Sequence, residues 1–91
     1  MEGMREAMLY ARFEHPDAGW DHDWELVASL NLEIGKRYLV EDVQMGQSYT
    51  GILLDGFCKH LNSVHFEFEE EDYTPVDIYR DPRYNHYIMR R

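Results

Sequence analysis

The spacing of apolar residues changes twice along this chain, and each change predicts a different kind of element. Met8-Leu-Tyr-Ala-Arg-Phe13 is a short apolar and aromatic run closed by the turn residues His15-Pro-Asp-Ala-Gly19, the pattern of a first strand. The period then becomes helical. Trp24, Val27, Ala28 and Asn31 share one face with Leu26 and Leu30 beside it, which makes Trp24 a core residue on this reading. Asp21 or Asp23 caps the start, acids fill the first turn where they favour the helix dipole, and Gly35 is the expected stop. Trp20 lies in a Gly-Trp-Asp turn, where an exposed indole is expected.

From Lys36 the pattern alternates. Tyr38 and Val40 have one parity and Val43 and Met45 the other, so a bulge near Glu41 and Asp42 must shift the phase and bend the strand. Gly46-Gln-Ser48 reads as a turn, Thr50, Ile52 and Leu54 as the inward side of a third strand, and Asp55-Gly56 as the next turn. Val64, Phe66 and Phe68 alternate with His65, Glu67 and Glu69 in a half-buried strand. Glu70 to Pro75 then reads as an acidic loop, and Val76-Asp-Ile-Tyr79 as a last strand stopped by Asp81-Pro82. The fold class that follows is α+β, mainly β: a small antiparallel SH3-like barrel or curled meander of about five strands, with one helix between strands 1 and 2. A flatter open sheet with the helix across one face is the alternative.

Size and composition narrow this picture. With 91 residues, the chain has room for one domain, residues 1–91, and its 44% hydrophobic content is enough for a core. Residues 1–7 read as a dispensable, disordered extension, because a chain begun at Met8 would open directly on the first strand. Cys58 is the only cysteine, which rules out an internal disulfide and a Cys-rich zinc site and favours a reducing cytoplasm. No basic flank with an apolar run opens the chain, and no stretch nears the roughly 18 apolar residues of a membrane span, so a cytoplasmic location away from membranes is expected.

The formal charge of -9 comes mainly from two segments. Between Arg12 and Lys36 lie six acids and no Lys or Arg, and Glu67, Glu69, Glu70, Glu71 and Asp72 make the second block. Such a surface speeds encounter with basic partners and repels nucleic acid and anionic membranes. Four arginines at the end, Arg80, Arg83, Arg90 and Arg91, are better suited to pairing with these acids, within one chain or between copies, than to binding nucleic acid.

Candidate chemistry is sparse. His15, Asp17, His22 and Asp23 can supply nitrogen and oxygen ligands to a divalent cation, although their spacing matches no standard site. Ser48 lacks a nucleophile elbow, Cys58 and His60 share a strand face by geometry alone, and Asn62-Ser63 reads as a turn that sets strand register. No cofactor motif is present, and a non-enzymatic protein is expected.

Four runs carry a resemblance: Gly35-Lys-x-Tyr38-x-Val40-Glu41; Gly46-x-Ser48-x-Thr50; Leu61-Asn-Ser-Val64-x-Phe66-Glu-Phe68; and Asp77-Ile-Tyr79-x-Asp81-Pro-x-Tyr84-Asn85. Together they resemble a class of small acidic proteins of gut bacteria, their phages and conjugative elements. The resemblance implies a mobile-element origin and no particular chemistry. The expected function is therefore a protein-binding module, anti-CRISPR-like in its sharpest form, whose acidic surface engages the basic nucleic-acid site of a host defence enzyme. The contacts expected are Glu69, Glu70, Glu71 and Asp72 with Tyr73, and a second patch of Asp17, Trp20, Asp21 and Asp23; Tyr79 and Tyr84 are expected beside the acidic loop as further anchors. A metal-binding domain or small metal-dependent enzyme, and a self-assembling structural subunit, are the alternatives.

Overall fold

In a computed structural model, residues 8–85 are described. The elements run β1 (Leu9–Phe13), α1 (Asp21–Ser29), β2 (Arg37–Gln44), β3 (Gly51–Leu54), β4 (Leu61–Asn62), a 3₁₀ turn (Ser63–His65) and β5 (Phe66–Glu70). The five strands form one antiparallel sheet in the order β4-β3-β2-β1-β5. The extension at residues 1–7 and the arginines at 90 and 91 lie outside the described residues.

Connectivity decides between the barrel and the flat sheet. β4 and β5 occupy opposite edges of the sheet but are joined by only the three residues Ser63–His65. A flat sheet would hold those edges about 19 Å apart, four strand spacings. The four Cα steps from Asn62 to Phe66 reach at most about 14 Å. The sheet therefore curls into a half-barrel, and the 3₁₀ turn spans its mouth. Ser63 N–H donates to the Thr50 carbonyl at 2.9 Å on one side, and the His65 carbonyl accepts from Glu14 and His15 N–H at 3.0 Å each on the other. The His65 ring is fully buried behind this seam, with Nδ1 2.8 Å from the carbonyl oxygen of His15.

The bulge expected near Glu41 is present: Val40 pairs with Leu54 and Asp42 with Leu53, so Glu41 is the extra residue. Inside the curl, Leu9, Ala11 and Phe13 of β1 meet Ile52 and Leu54 of β3, Leu61 of β4, and Phe66 and Phe68 of β5. Val27 of the helix and Ile78 close the core. No helix among the described residues is long and apolar enough to cross a membrane.

Four local expectations are corrected. The helix ends at Ser29 and not at Gly35, because Asn31 adopts the left-handed conformation (φ 58°) that terminates it; Gly35, at φ 88°, shapes the turn into β2. Its inward positions are Asp23 and Val27, which leaves Trp24 exposed at the rim. Val64 belongs to the 3₁₀ turn and is exposed, so the alternating strand begins only at Phe66. Finally, Val76 to Tyr79 is not a strand. It returns along β5 through a single bridge of Pro75 to Glu69 and one bond from Val76 N–H to the Phe68 carbonyl. A turn at Asp77 follows at once, closed by Tyr79 N–H on the Asp77 carboxylate and Arg80 N–H on the Asp77 carbonyl, each at 3.1 Å, and it carries the chain off β5 before a ladder can extend. The fifth strand is instead the two-residue β4.

Candidate functional site

The acidic run at the end of β5 is partly an internal structure. Strand pairing places Arg12 directly opposite Arg37, an arrangement of like charges that needs an anion. Glu69 supplies it. Only 5% exposed, it accepts from both guanidiniums. Arg37 also donates to the Glu70 and Glu71 carbonyls, at 2.8 and 3.3 Å, and its guanidinium lies 4.4 Å from the Tyr10 ring centroid and 3.9 Å from that of Tyr73. Tyr73 holds a strained backbone (φ 74°) in this stack. Glu70 pairs with Arg83 at 3.3 Å. Of the expected contact set, Glu71, Asp72 and Tyr73 reach the surface, whereas Glu69 is committed to the fold. The sequence signal that was missed is the pair of arginines, which faces Glu69 only once β1, β2 and β5 are placed side by side.

The second patch divides in the same way. Asp17, Trp20 and Asp21 are exposed, but Asp23 is buried. Its Oδ2 accepts from Trp20 N–H at 2.9 Å and from Asn62 Nδ2 at 3.1 Å, and Asn62 Oδ1 in turn accepts from Val64 N–H at 3.3 Å. One carboxylate thus ties the helix start to β4 and the 3₁₀ turn. Burial works against its charge, yet the bonds from Trp20 and Asn62, with the nearby His22 and His65, hold the carboxyl below its ordinary 3.8. Gly19 makes the approach possible: its φ is 80°, and a Cβ there would stand 2.7 Å from Asp23 Oδ2.

The metal alternative finds no convergence of ligands. His15 turns to Glu67 on β5 at 2.7 Å, while His22 lies 3.7 Å from Asp23. Among the described residues, no three His, Cys, Asp or Glu side chains are grouped to hold a metal ion. Likewise His60 faces Asp42 at 3.0 Å, and Cys58 is exposed.

What the fold does assemble is an open groove of about 590 Å³ between the helix start, the β2–β3 loop and the 3₁₀ turn. Its walls carry three aromatic rings from distant parts of the chain: Trp20, 62% exposed, Tyr49, 40%, and Tyr79, 44%. Thr50, Asn62 and Ser63 form its polar floor, where Ser63 Oγ and Tyr79 Oη lie 2.6 Å apart. Tyr49 is presented by a tight turn, since a Cβ on Gly46 would meet its carbonyl oxygen at 2.4 Å. Burial, and then the charge of Asp23, push the Tyr49 hydroxyl above its ordinary 10.0. Among the described residues, no Lys or Arg lines the groove. Trp20 is exposed as its turn context in the sequence implies, but Tyr79 is not beside the acidic loop as expected. The returning segment carries it to the opposite end of β5, and Tyr84 lines a separate pocket with Met8 and Leu9.

Over residues 8–90, the chain matches the profile of the family described as bacteriophage T4 protein Y07B. This protein belongs to that family. No curated protein and no solved structure matches it. The phage kinship expected from the four sequence runs is thereby established, and the Y07B match takes in the whole half-barrel, the acidic turn and every residue of the groove.

Proposed function

We propose that this Y07B-family protein is a non-enzymatic binding module, an accessory protein that a phage or related mobile element brings into its bacterial host, and that it engages a basic surface of a host protein. The observation that carries this reading is the acid left over after internal pairing. Asp17, Asp21 and Glu25 near the helix start, and Glu71 and Asp72 at the turn after β5, stay exposed although Glu69 and Asp23 are withdrawn. A nucleic-acid enzyme is the partner class whose surface fits best, because its channel already gathers Lys and Arg for phosphates. Occupying that channel would exclude the nucleic acid and inhibit the enzyme.

The test is capture from a bacterial host lysate at low and high salt, with the captured protein identified and then challenged with added DNA or RNA. Two double charge reversals, Asp17→Lys with Asp21→Lys and Glu71→Lys with Asp72→Lys, accompany the parent. A nucleic-acid-binding protein that is retained by the parent, displaced by nucleic acid and lost in one reversal supports the proposal. Capture that neither reversal nor salt alters refutes it.

A further inference from the structure

We infer that the groove walled by Trp20, Tyr49 and Tyr79 is a recognition site for an extended segment of a partner protein bearing arginine or lysine side chains. The inference rests on the proposed function only in taking the partner to be basic. Exposed Trp and Tyr rings are the residues from which binding hot spots are built, and their faces attract cations. Here three of them face one trough from three separate stretches of chain.

Charge selects the occupant. Among the described residues the lining contributes no Lys or Arg, the Asp23 carboxylate lies just beneath the Trp20 end, and Asp21 is exposed next to Trp20. Phosphates are repelled from such a trough, and guanidinium or ammonium groups are drawn to it.

Shape selects a chain over a small molecule. Small-ligand sites enclose roughly 70–90% of their ligand. Walls that are themselves 40 to 62% exposed cannot do so, whereas a polypeptide gains its contact area by lying along them. The volume also argues for an extended chain: one helical turn with its side chains occupies about 500 Å³ from its diameter and pitch, so the groove would hold barely a single turn of helix. An extended segment of four or five residues instead offers alternate side chains to successive rings.

The probe is a blocked heptapeptide alternating arginine and alanine, with a glutamate-for-arginine counterpart, titrated into the full ¹⁵N-labelled chain. The arginine peptide is expected to move the Trp20 indole and the amides of Tyr49 and Ser63, and the glutamate peptide to move none. Trp20→Ala should weaken binding at least tenfold, and its exposed side chain can be removed without opening the core. Ser48→Lys, which places a cation on the exposed loop beside Tyr49, should weaken it severalfold and serves as a second variant that leaves the rings intact. The inference is overturned if the arginine peptide moves nothing at millimolar concentration, if its shifts gather at Glu71 and Asp72, or if Trp20→Ala and Ser48→Lys both bind like the parent. The lysate capture separates the two proposals: a partner held by Trp20→Ala but lost on charge reversal would overturn the groove and leave the basic-partner reading standing.

Discussion

Replacing Glu69 by Gln removes one charge and no volume, and so isolates what that carboxylate does between Arg12 and Arg37. Removing one member of a buried ion pair costs about 3–5 kcal/mol, because the remaining charge stays desolvated. Here the side chains of Arg12 and Arg37 are about a third and a fifth exposed and Arg12 keeps its bond to the Glu14 carboxylate, so water and Glu14 recover part of that cost. The expected loss is about 2–3 kcal/mol, which for a domain of this size lowers the melting temperature by roughly 10–20 °C. The neighbouring Glu71→Gln, on an exposed residue that meets Arg37 only through its carbonyl, should fall within about 0.5 kcal/mol of the parent. Urea unfolding followed by circular dichroism, run at 0.15 and 1 M NaCl, reads both variants. The Glu69 deficit should persist in high salt, since a largely enclosed pair is poorly screened. A deficit under about 0.5 kcal/mol, or one that disappears in 1 M salt, would show Glu69 to be an ordinary solvated charge and refute the internal cluster.

Gly19→Ala should destabilise by about 2–3 kcal/mol in urea, since it adds a clash with Asp23 to the roughly 1–2 kcal/mol of a left-handed alanine; Gly35→Ala, with open space around its Cβ position, should show only the latter. Asp23 is depressed below 3.8 in the folded protein, so the native state binds its proton less readily than the unfolded chain. Its contribution is therefore present above pH 3.8 and lost as pH falls below that value, and Asp23→Asn should remove this part of the acid dependence of stability. The same substitution should bring the Tyr49 hydroxyl partway down toward 10.0 in a ¹³C-tyrosine titration, burial remaining as the other cause. Arg37→Lys keeps the charge but loses the planar stack between Tyr10 and Tyr73, and should cost about 1–2 kcal/mol, measured by urea unfolding.

The parts of this fold that could be read from the sequence are those where one local signal suffices. An apolar run closed by turn residues located β1, alternation located β2, β3 and β5, and the parity change between Val40 and Val43 required the bulge at Glu41. The two-residue β4 has no periodicity to detect, and its role in bending the chain appears only from its place at the far edge from β5. Val76 to Tyr79 has strand-like composition, but the turn closed on the Asp77 carboxylate and carbonyl takes the chain away from β5 directly after Val76. The acids were misjudged for a related reason. Charge along a sequence cannot show which carboxylates have partners from other strands, and Glu69 and Asp23 are satisfied by Arg12, Arg37 and Asn62 from elsewhere in the chain. The groove is non-local to the same degree: Trp20, Tyr49 and Tyr79 carry no shared motif, and only closure of the half-barrel brings them to one place.

Asp23 links this closure to the candidate site. The helix between β1 and β2 contributes Val27 to the core, but its first turn also fixes Trp20, because the carboxylate that receives the Trp20 N–H is anchored to Asn62 at the mouth of the half-barrel. The indole is thereby set against the same 3₁₀ turn whose Ser63 positions Tyr79. Two rings far apart in sequence are registered to a single three-residue turn. Loosening that turn should cost stability and recognition together, as in Asp23→Asn, whereas Trp20→Ala should cost recognition alone. If instead Asp23→Asn lost stability but bound the arginine peptide with parental affinity, the carboxylate would belong to the fold only, and the placement of Trp20 would have to come from elsewhere in the loop.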